Sequence, residues 1–472
     1  MFLFNFDFIG RVFELDQLHK MYNKSGFSFA CIYGRRRVGK SALIKKFIND
    51  TNGMNISFTS VEFNDSANLL EFSKRVLEVL SQAKSYIASF ESWSTAFDYI
   101  VSEVKDKKLI IFIDEYPYIA QGNNSISSIL QKYIDEVFIN TNIKLIVCGS
   151  SMSFMVNQVL GYKSPLYGRR TLQMHVKPFD YYDTAKMVDE YSLEDKVLMY
   201  GVSGGIPYYV NMLKQGNNLK EGIIDCFFNT SGSLYEEPNN LLKQELREPA
   251  LYNSIITAIA LGNTKLNKIS TKINETDNKV NKYIHSLIDL EIIEKETPLM
   301  NTSTRKGIYK IKDCMYKFWY RYVPTNVTNI ENGMGKRVYE TNVEPDLPMF
   351  LSNVFEEICK QYMLRCNKNN EISFMFDQIG RWWGGNPVTK EEEEIDLIAY
   401  NDDSIIFGEC KYRNELVNEN CLNELIRKSN LFSMKKNIYY YLFSKSGFTS
   451  GLVALAKNST NIKLIGLAEI YK

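Results

Sequence analysis

The chain of 472 residues has no excess of either charge. Its 56 Lys and Arg face 55 Asp and Glu, for a formal net charge of +1. That excludes a protein that coats nucleic acid by bulk charge, although a local basic face remains open. Histidine is scarce: His19, His175 and His285 lie far apart. This disfavours a histidine metal centre or a catalytic triad. The eight cysteines form no C-x-x-C pair, so a zinc site is not expected. Several sit in apolar runs, such as FACIY and LIVCGS, as reduced buried thiols of a cytoplasmic protein do. Long hydrophobic runs are missing too, and none approaches the roughly 18 residues that span a bilayer. Met1 to Phe8 is apolar but has no positive segment and is broken by Asp7, so neither export nor a membrane is expected. Hydrophobic residues at 45% and charged residues at 24% exclude disorder, collagen and coiled coil for the whole chain. The length suggests about three domains.

The first of these reads as a nucleotide-binding α/β unit. The apolar run FSFACIY leads into Gly34–Ser41, GRRRVGKS, which fits G-x-x-x-x-G-K-[ST] at every fixed position. Behind it, Leu43, Ile44, Phe47 and Ile48 fall on one face of a helix. Strand, glycine loop and helix is the context this motif requires. Gly34, Arg35, Arg36, Arg37, Val38, Gly39, Lys40, Ser41 and Ala42 are therefore the expected ATP-binding loop. Gly34 and Gly39 let backbone N–H groups wrap phosphates, Lys40 reaches the β- and γ-phosphates, and the Ser41 hydroxyl ligates Mg²⁺. A second apolar strand, KKLIIFIDEYPYIA, ends in Asp114 and Glu115. Asp114 is placed to hold Mg²⁺ through water, and Glu115 to polarise the attacking water. A third, IKLIVCGS, ends in Ser150 and Ser151. A polar residue there, Ser150 or Ser151, is placed to sense the γ-phosphate, or this is an ordinary strand exit.

Five segments in order (FIGRVFELDQL, IYGRRRVGKSALI, LIIFIDEYPYI, SPLYGRRT and SGGIPYYV) resemble archaeal-type AAA+/STAND P-loop ATPases. The resemblance implies a five-stranded parallel sheet in AAA+ order. It implies that Gly10 and Arg11 belong to the opening nucleotide box, and that Glu115 is the catalytic glutamate. It also implies that Arg169 or Arg170 serves as an arginine finger or γ-phosphate sensor, against the alternative of a plain salt bridge. Pro207 matches a position bordering the adenine pocket. No second sensor arginine is evident.

Ala250 to Leu299 reads as three short helices, and EIIEKE with KGIYKIKD as a wing. Together these resemble a winged helix-turn-helix. Its third helix would expose Asn278, Lys279, Asn281 and Lys282 to phosphates and base edges. The competing reading is a lid on the ATPase that reads no sequence. Residues 326–346 are polar and punctuated by Gly and Pro, as an interdomain connection would be. The expected division is 1–205 for the ATPase, 206–325 for lid and winged helix, 326–346 for the linker and 347–472 for the last domain.

In the last domain, EIDLIAYNDDSIIFGECKYR (Glu394 to Arg413) is two strands around a turn. With Asp402 and Asp403 in the loop, Asp396 faces Glu409 across the hairpin, and Lys411 shares the Glu409 face. Asp396 and Glu409 can hold Mg²⁺ or Mn²⁺, with the Cys410 carbonyl as a further ligand. Lys411 can orient or deprotonate water, or stabilise charge on phosphorus. The pattern resembles the PD-(D/E)xK nuclease superfamily, with Ile395 where a Pro would stand. It also resembles the domain of unknown function often fused to this ATPase, whose lead-in strand IGRWWGGN matches. That likeness implies a restriction-endonuclease-like α/β fold over 347–472, with Glu356 as the first-helix glutamate and Glu357 as its competitor. A surface salt-bridge set is the alternative for these charges. Paired Trp382 and Trp383 read as groove or core. Arg427, Lys428, Lys435 and Lys436 read as a phosphate-facing stripe or a solvated face.

The expected protein is a cytoplasmic ATPase coupled to a metal-dependent DNA-cleaving or DNA-binding domain. ATP is its ligand; DNA, a second copy or a partner protein are its candidate partners. The alternative is a nucleotide switch with an inactive recognition or assembly module. A weaker third reading is a transcription regulator using the winged helix.

Overall fold

The structure is a computed structural model, and it describes residues 8–81, 89–300, 307–386, 389–432 and 437–472. Met1–Asp7, Lys306, Lys435 and Lys436 lie outside the described residues. The chain divides into two units, one ending at Pro178 and the other starting at Phe179. Among the described residues no helix is long and apolar enough to cross a membrane.

In the first unit, five apolar runs become β1 (Ser28–Tyr33), β2 (Met54–Thr59), β3 (Leu109–Asp114), β4 (Ile143–Gly149) and β5 (Leu172–His175). They form an all-parallel sheet in the order β2-β3-β4-β1-β5, the order expected of this class. β3 and β4 are buried along their whole length, because helices cover both faces of such a sheet. Phe72, Trp93, Phe97, Tyr133 and Phe138 pack on one face with Ile111, Ile113 and Leu145. β1, β3 and β4 all end at one edge, which is where ligands of open parallel sheets bind.

The second unit begins with helices, among them Leu193–Ser203 and Pro207–Leu213. Helices Pro249–Ala260, Leu266–Ile273 and Asp277–Asp289 then precede the antiparallel pair β6 (Ile293–Glu296) and β7 (Ile308–Ile311). This is three helices and a wing, as the apolar spacing anticipates. Val280, Ile284 and Leu287 bury one side of the third helix. On its other side, Asn278, Lys279 and Lys282 are exposed and Asn281 is half-buried. Lys279 pairs with Glu275 at 2.7 Å.

Residues 324–346 are not an extended connection. They form consecutive helical turns that bury Ile330, Val338, Tyr339 and Val343. Arg321 ties the end of this stretch to the preceding helix through Asp346, at 2.6 and 2.8 Å. The Gly that reads as linker punctuation has a packing cause. A Cβ on Gly335 would sit 1.7 Å from the Phe228 carbonyl oxygen. Gly335→Ala is therefore expected to lose about 1–3 kcal/mol of stability, read as a lower thermal midpoint.

The last sheet holds β8 (Gln378–Gly385), β9 (Glu392–Tyr400), β10 (Ser404–Lys411), β11 (Asn437–Ser444) and β12 (Ile462–Gly466). Its order is β12-β11-β10-β9-β8, antiparallel from β8 to β10 and parallel from β10 to β12. The helix Leu347–Asn369 precedes it, and the helix Glu419–Ser429 joins β10 to β11. Leu422 and Leu425 share a core with Ile405 and Phe407, while Phe355 stacks near Tyr412. The two helices thus cover opposite faces of β10, since alternate residues point to opposite sides. Trp382 joins the core against Phe432.

Candidate nucleotide site and carboxylate centre

Each unit carries one constellation with chemical potential. In the first, β1 enters a loop that only glycine can start, because a Cβ on Gly34 would lie 2.3 Å from the Val176 carbonyl oxygen. Gly39 caps the helix Lys40–Thr51 at φ 93°, with no side chain on the helix N-terminus and no acid in the first turn. Its N–H groups and positive dipole end remain available to an anion. Lys40 is buried and donates to the Gly34 and Arg35 carbonyls, each at 2.9 Å. Arg36 reaches the Tyr118 hydroxyl at 3.0 Å, and Arg37 sits at φ 68°.

Gly10 and Arg11 turn with φ 67° and 58° ahead of the helix Val12–Asn23. The Arg11 guanidinium donates to the Val38 carbonyl at 2.9 Å and to Glu14 at 3.1 Å. Arg11 therefore braces the loop from behind. The Ser41 hydroxyl donates to Asp114 at 2.6 Å, so the two Mg²⁺ candidates already touch. Glu115, at φ 53°, occupies a conformation rarely adopted by residues other than Gly. Its carboxylate accepts from the Ser150 N–H at 3.1 Å and hydroxyl at 2.8 Å. Ser60, which the sequence did not mark, donates to the Asp114 carbonyl at 3.0 Å.

The two arginines after β4 differ. Arg169 makes a two-pronged bond to Asp135, both distances 2.7 Å. This bond keeps the Arg169 pKa above its ordinary value. Arg170 is half-buried, with its guanidinium 5.7 Å from the Tyr167 ring centre. Arg170 is thus the less committed of the two. Pro207 opens the helix Pro207–Leu213 in the second unit.

In the second unit the hairpin pairs Ile405 with Tyr400 and Gly408 with Leu397, the register the two-residue loop implies. Beyond that pair, the Cys410 N–H donates to the Asp396 carboxylate at 2.8 Å. Lys411 pairs with Glu409 on one carboxylate oxygen, and Lys428 approaches the other at 3.6 Å. That second oxygen is buried without a hydrogen bond. Burial, then the charge of Asp396, pushes Glu356 up to about 7. Burial, then the charge of Glu409, pushes Asp396 up to about 6. Burial opposes charge on Lys411, but Glu409 outweighs it and holds its pKa above the ordinary value. Glu357 turns away, accepting from Gln361 at 2.9 Å, which leaves Glu356 as the helix acid near Asp396.

Burial and neighbouring acids outweigh the positive charges near these carboxyls, Arg381 for Glu356 and Lys411 for Asp396, and a buried acceptor without a donor is costly. Both features fit a divalent cation. Among the described residues no three His, Cys, Asp or Glu side chains come close enough to hold an ion alone. A cation here would rest on Asp396 and Glu409, and complete its shell with water and phosphate oxygens, as Mg²⁺ commonly does. The sign of the pH effect follows. Between ordinary values of 3.8 and 4.5 and the raised ones, the folded chain binds more protons than the unfolded chain. Metal-free stability therefore falls as pH rises through that window. Thermal melts across about pH 4.5 to 7.5 should show this fall, and Mn²⁺ should stabilise more at the upper end.

The remaining charges are mostly engaged. Arg427 grips Glu393 at 2.7 and 3.0 Å and Glu424 at 2.9 Å. It is therefore no free phosphate contact. Arg381 pairs with Glu394, and its guanidinium lies 5.9 Å from the Trp383 ring centre.

Two family models match parts of the chain. Residues 8–213 match a family described as an ATPase domain predominantly from Archaea. Residues 319–425 match one described as Archaea bacterial proteins of unknown function. The uncharacterized protein MJECL04 of Methanocaldococcus jannaschii is 34% identical over 444 residues, 92% of this chain and 94% of that protein. From the same organism, the uncharacterized ATP-binding protein MJ0423 is 44% identical over 43 residues, 9% of this chain and 73% of that one. Among solved structures, the Walker-type ATPase paby2304 of Pyrococcus abyssi matches 67% of this chain and 96% of its own. The TM-score is 0.50 at 19% identity, a likeness of fold.

Proposed function

Because the chain belongs to the family of the M. jannaschii protein MJECL04, with an AAA+-type P-loop ATPase domain at its N-terminus, we propose that it uses ATP to control a metal-dependent phosphodiesterase acting on DNA. The carrying observation is the convergence of Asp396, Glu409 and Lys411 on one hairpin, with Glu356 facing Asp396 from the preceding helix. The order helix, three antiparallel strands, helix, parallel strand around it supports a restriction-endonuclease-like fold for 347–472.

In the ATPase site, Lys40 and the loop N–H groups hold the β- and γ-phosphates. Ser41 and Asp114 hold Mg²⁺, which supplies charge neutralisation when bound. Glu115 takes a proton from the attacking water, and Arg170 or Arg169 answers charge developing on the γ-phosphate. Arg169 must first leave Asp135 to do so. In the carboxylate centre, Asp396 and Glu409 would hold Mg²⁺ or Mn²⁺. That ion lowers the cost of negative charge on the phosphate. Lys411 orients the attacking water, and Glu356 supplies a carboxyl that exchanges protons near neutrality.

One observation favours a second reading. Glu409 is bracketed by Lys411 and Lys428, and two lysines can stand permanently in place of a cation. The domain would then be a recognition or assembly module, and the ATPase a switch. Incubation with linear, nicked and branched DNA, with Mg²⁺ or Mn²⁺ and with or without ATP, separates the two. Metal-dependent cleavage that responds to ATP supports the first reading. No cleavage under any condition supports the second.

A further inference from the structure

Lys428 reads from the sequence as one of several basic residues, yet its placement is specific. It lies in the last turn of the helix Glu419–Ser429, three residues after the core residue Leu425. Residues three apart share a helix face, so Lys428 continues the sheet-facing side on which Leu422 and Leu425 are buried. Arg427, one position earlier, points elsewhere and grips Glu393 and Glu424. The Lys428 stem is largely covered, with 18% of its side chain exposed, and its amine lies 3.6 Å from Glu409. That oxygen of Glu409 makes no hydrogen bond. A lysine held at this distance stands beside the acid without consuming its lone pairs. Lys411 meets the other oxygen from the strand itself. Two amines from different elements thus converge on one carboxylate.

We propose that Lys428 is a second phosphate-binding residue of the carboxylate centre, a reading that rests on the phosphodiesterase function above. Without a cation, Lys428 balances the charge of Glu409. When Glu409 turns its oxygens to a divalent ion, the Lys428 amine is released toward the phosphate of the strand to be cut. There it offsets negative charge as a water oxygen bonds to phosphorus and one P–O ester bond breaks. The water proton leaves to solvent, and the departing oxygen takes up a proton. Lysine suits this exchange because its compact charge can change partners on a flexible stem.

The test uses the full-length chain, labelled single-stranded and duplex DNA, and Mn²⁺. Lys428→Met keeps the buried stem and removes the charge. It is expected to lower kcat/KM for cleavage about 30-fold. Its Mn²⁺ affinity, followed by electron paramagnetic resonance without DNA, should equal or exceed that of the wild type. Lys428→Arg should recover cleavage to within about fivefold of wild type. ATP hydrolysis should be unchanged in both variants, and circular dichroism melts matching those of the wild type show that the unit carrying Lys428 folds. Wild-type cleavage by Lys428→Met overturns the proposal alone. So does a loss of cleavage that tracks a loss of Mn²⁺ affinity, since Lys428 would then only shape the metal site. Absence of cleavage by the wild type overturns the phosphodiesterase reading and the proposal with it.

Discussion

Glu115→Gln is expected to lower ATP turnover at least about 100-fold while leaving nucleotide affinity within about threefold. The geometry makes this exchange clean. The Glu115 carboxylate accepts from the Ser150 N–H and hydroxyl. A glutamine carbonyl can accept both bonds in the same place, so the strand end keeps its shape. What the amide cannot do is take a proton from water. Its loss therefore falls on the chemical step, not on binding. Steady-state phosphate release and a fluorescent-nucleotide titration measure the two effects separately. Unchanged turnover would remove Glu115 from its role. The same geometry says that the resting glutamate is held by Ser150. Ser150→Ala removes one of the two bonds, and its effect on turnover should be smaller than that of Glu115→Gln.

The second large effect belongs to the carboxylate centre. Asp396→Asn should lower metal-dependent DNA cleavage at least about 100-fold, or about 3 kcal/mol in barrier. Asparagine can still accept the Cys410 N–H bond, so the hairpin should hold. It cannot supply the charge that a divalent ion needs from one of only two carboxylate ligands. Lys411→Ala should give a loss of similar size with metal affinity retained or raised, because its amine supplies no ligand to the ion and pairs with the Glu409 carboxylate instead. Cleavage assays beside Mn²⁺ titrations distinguish the two variants. Wild-type cleavage by either one would remove that residue from the site.

Much of this was legible because it is local. The phosphate loop is eight consecutive residues with fixed types, and its flanks switch from an apolar strand to a helical period. The hairpin register followed from a two-residue loop, since one slip would reverse every side chain. Sequence-distant pairs were not legible. Nothing around Arg169 announces Asp135, 34 positions earlier. The choice between Glu356 and Glu357 depends on the phase of a long helix against a sheet that follows it in the chain. Residues 326–346 read as a linker because polar residues dilute four buried apolar ones, and because a glycine required by close packing looks like one required by a turn. Arg427 and Lys428 looked equivalent as neighbours, yet one residue of helical rotation sends them to different partners.

The strand order of the first sheet has a consequence for biosynthesis. β1 leaves the ribosome well before either of its partners. Ser28 pairs with Lys144, and Ala30 with Leu172. Until that stretch emerges, β1 has two open edges and an apolar sequence, the state in which nascent chains associate wrongly. The phosphate loop hangs from β1, and Gly34 packs against Val176. A competent nucleotide pocket therefore forms only when nearly the whole first unit has been made. ATP can then act as a late folding ligand, stabilising completed chains over truncated ones.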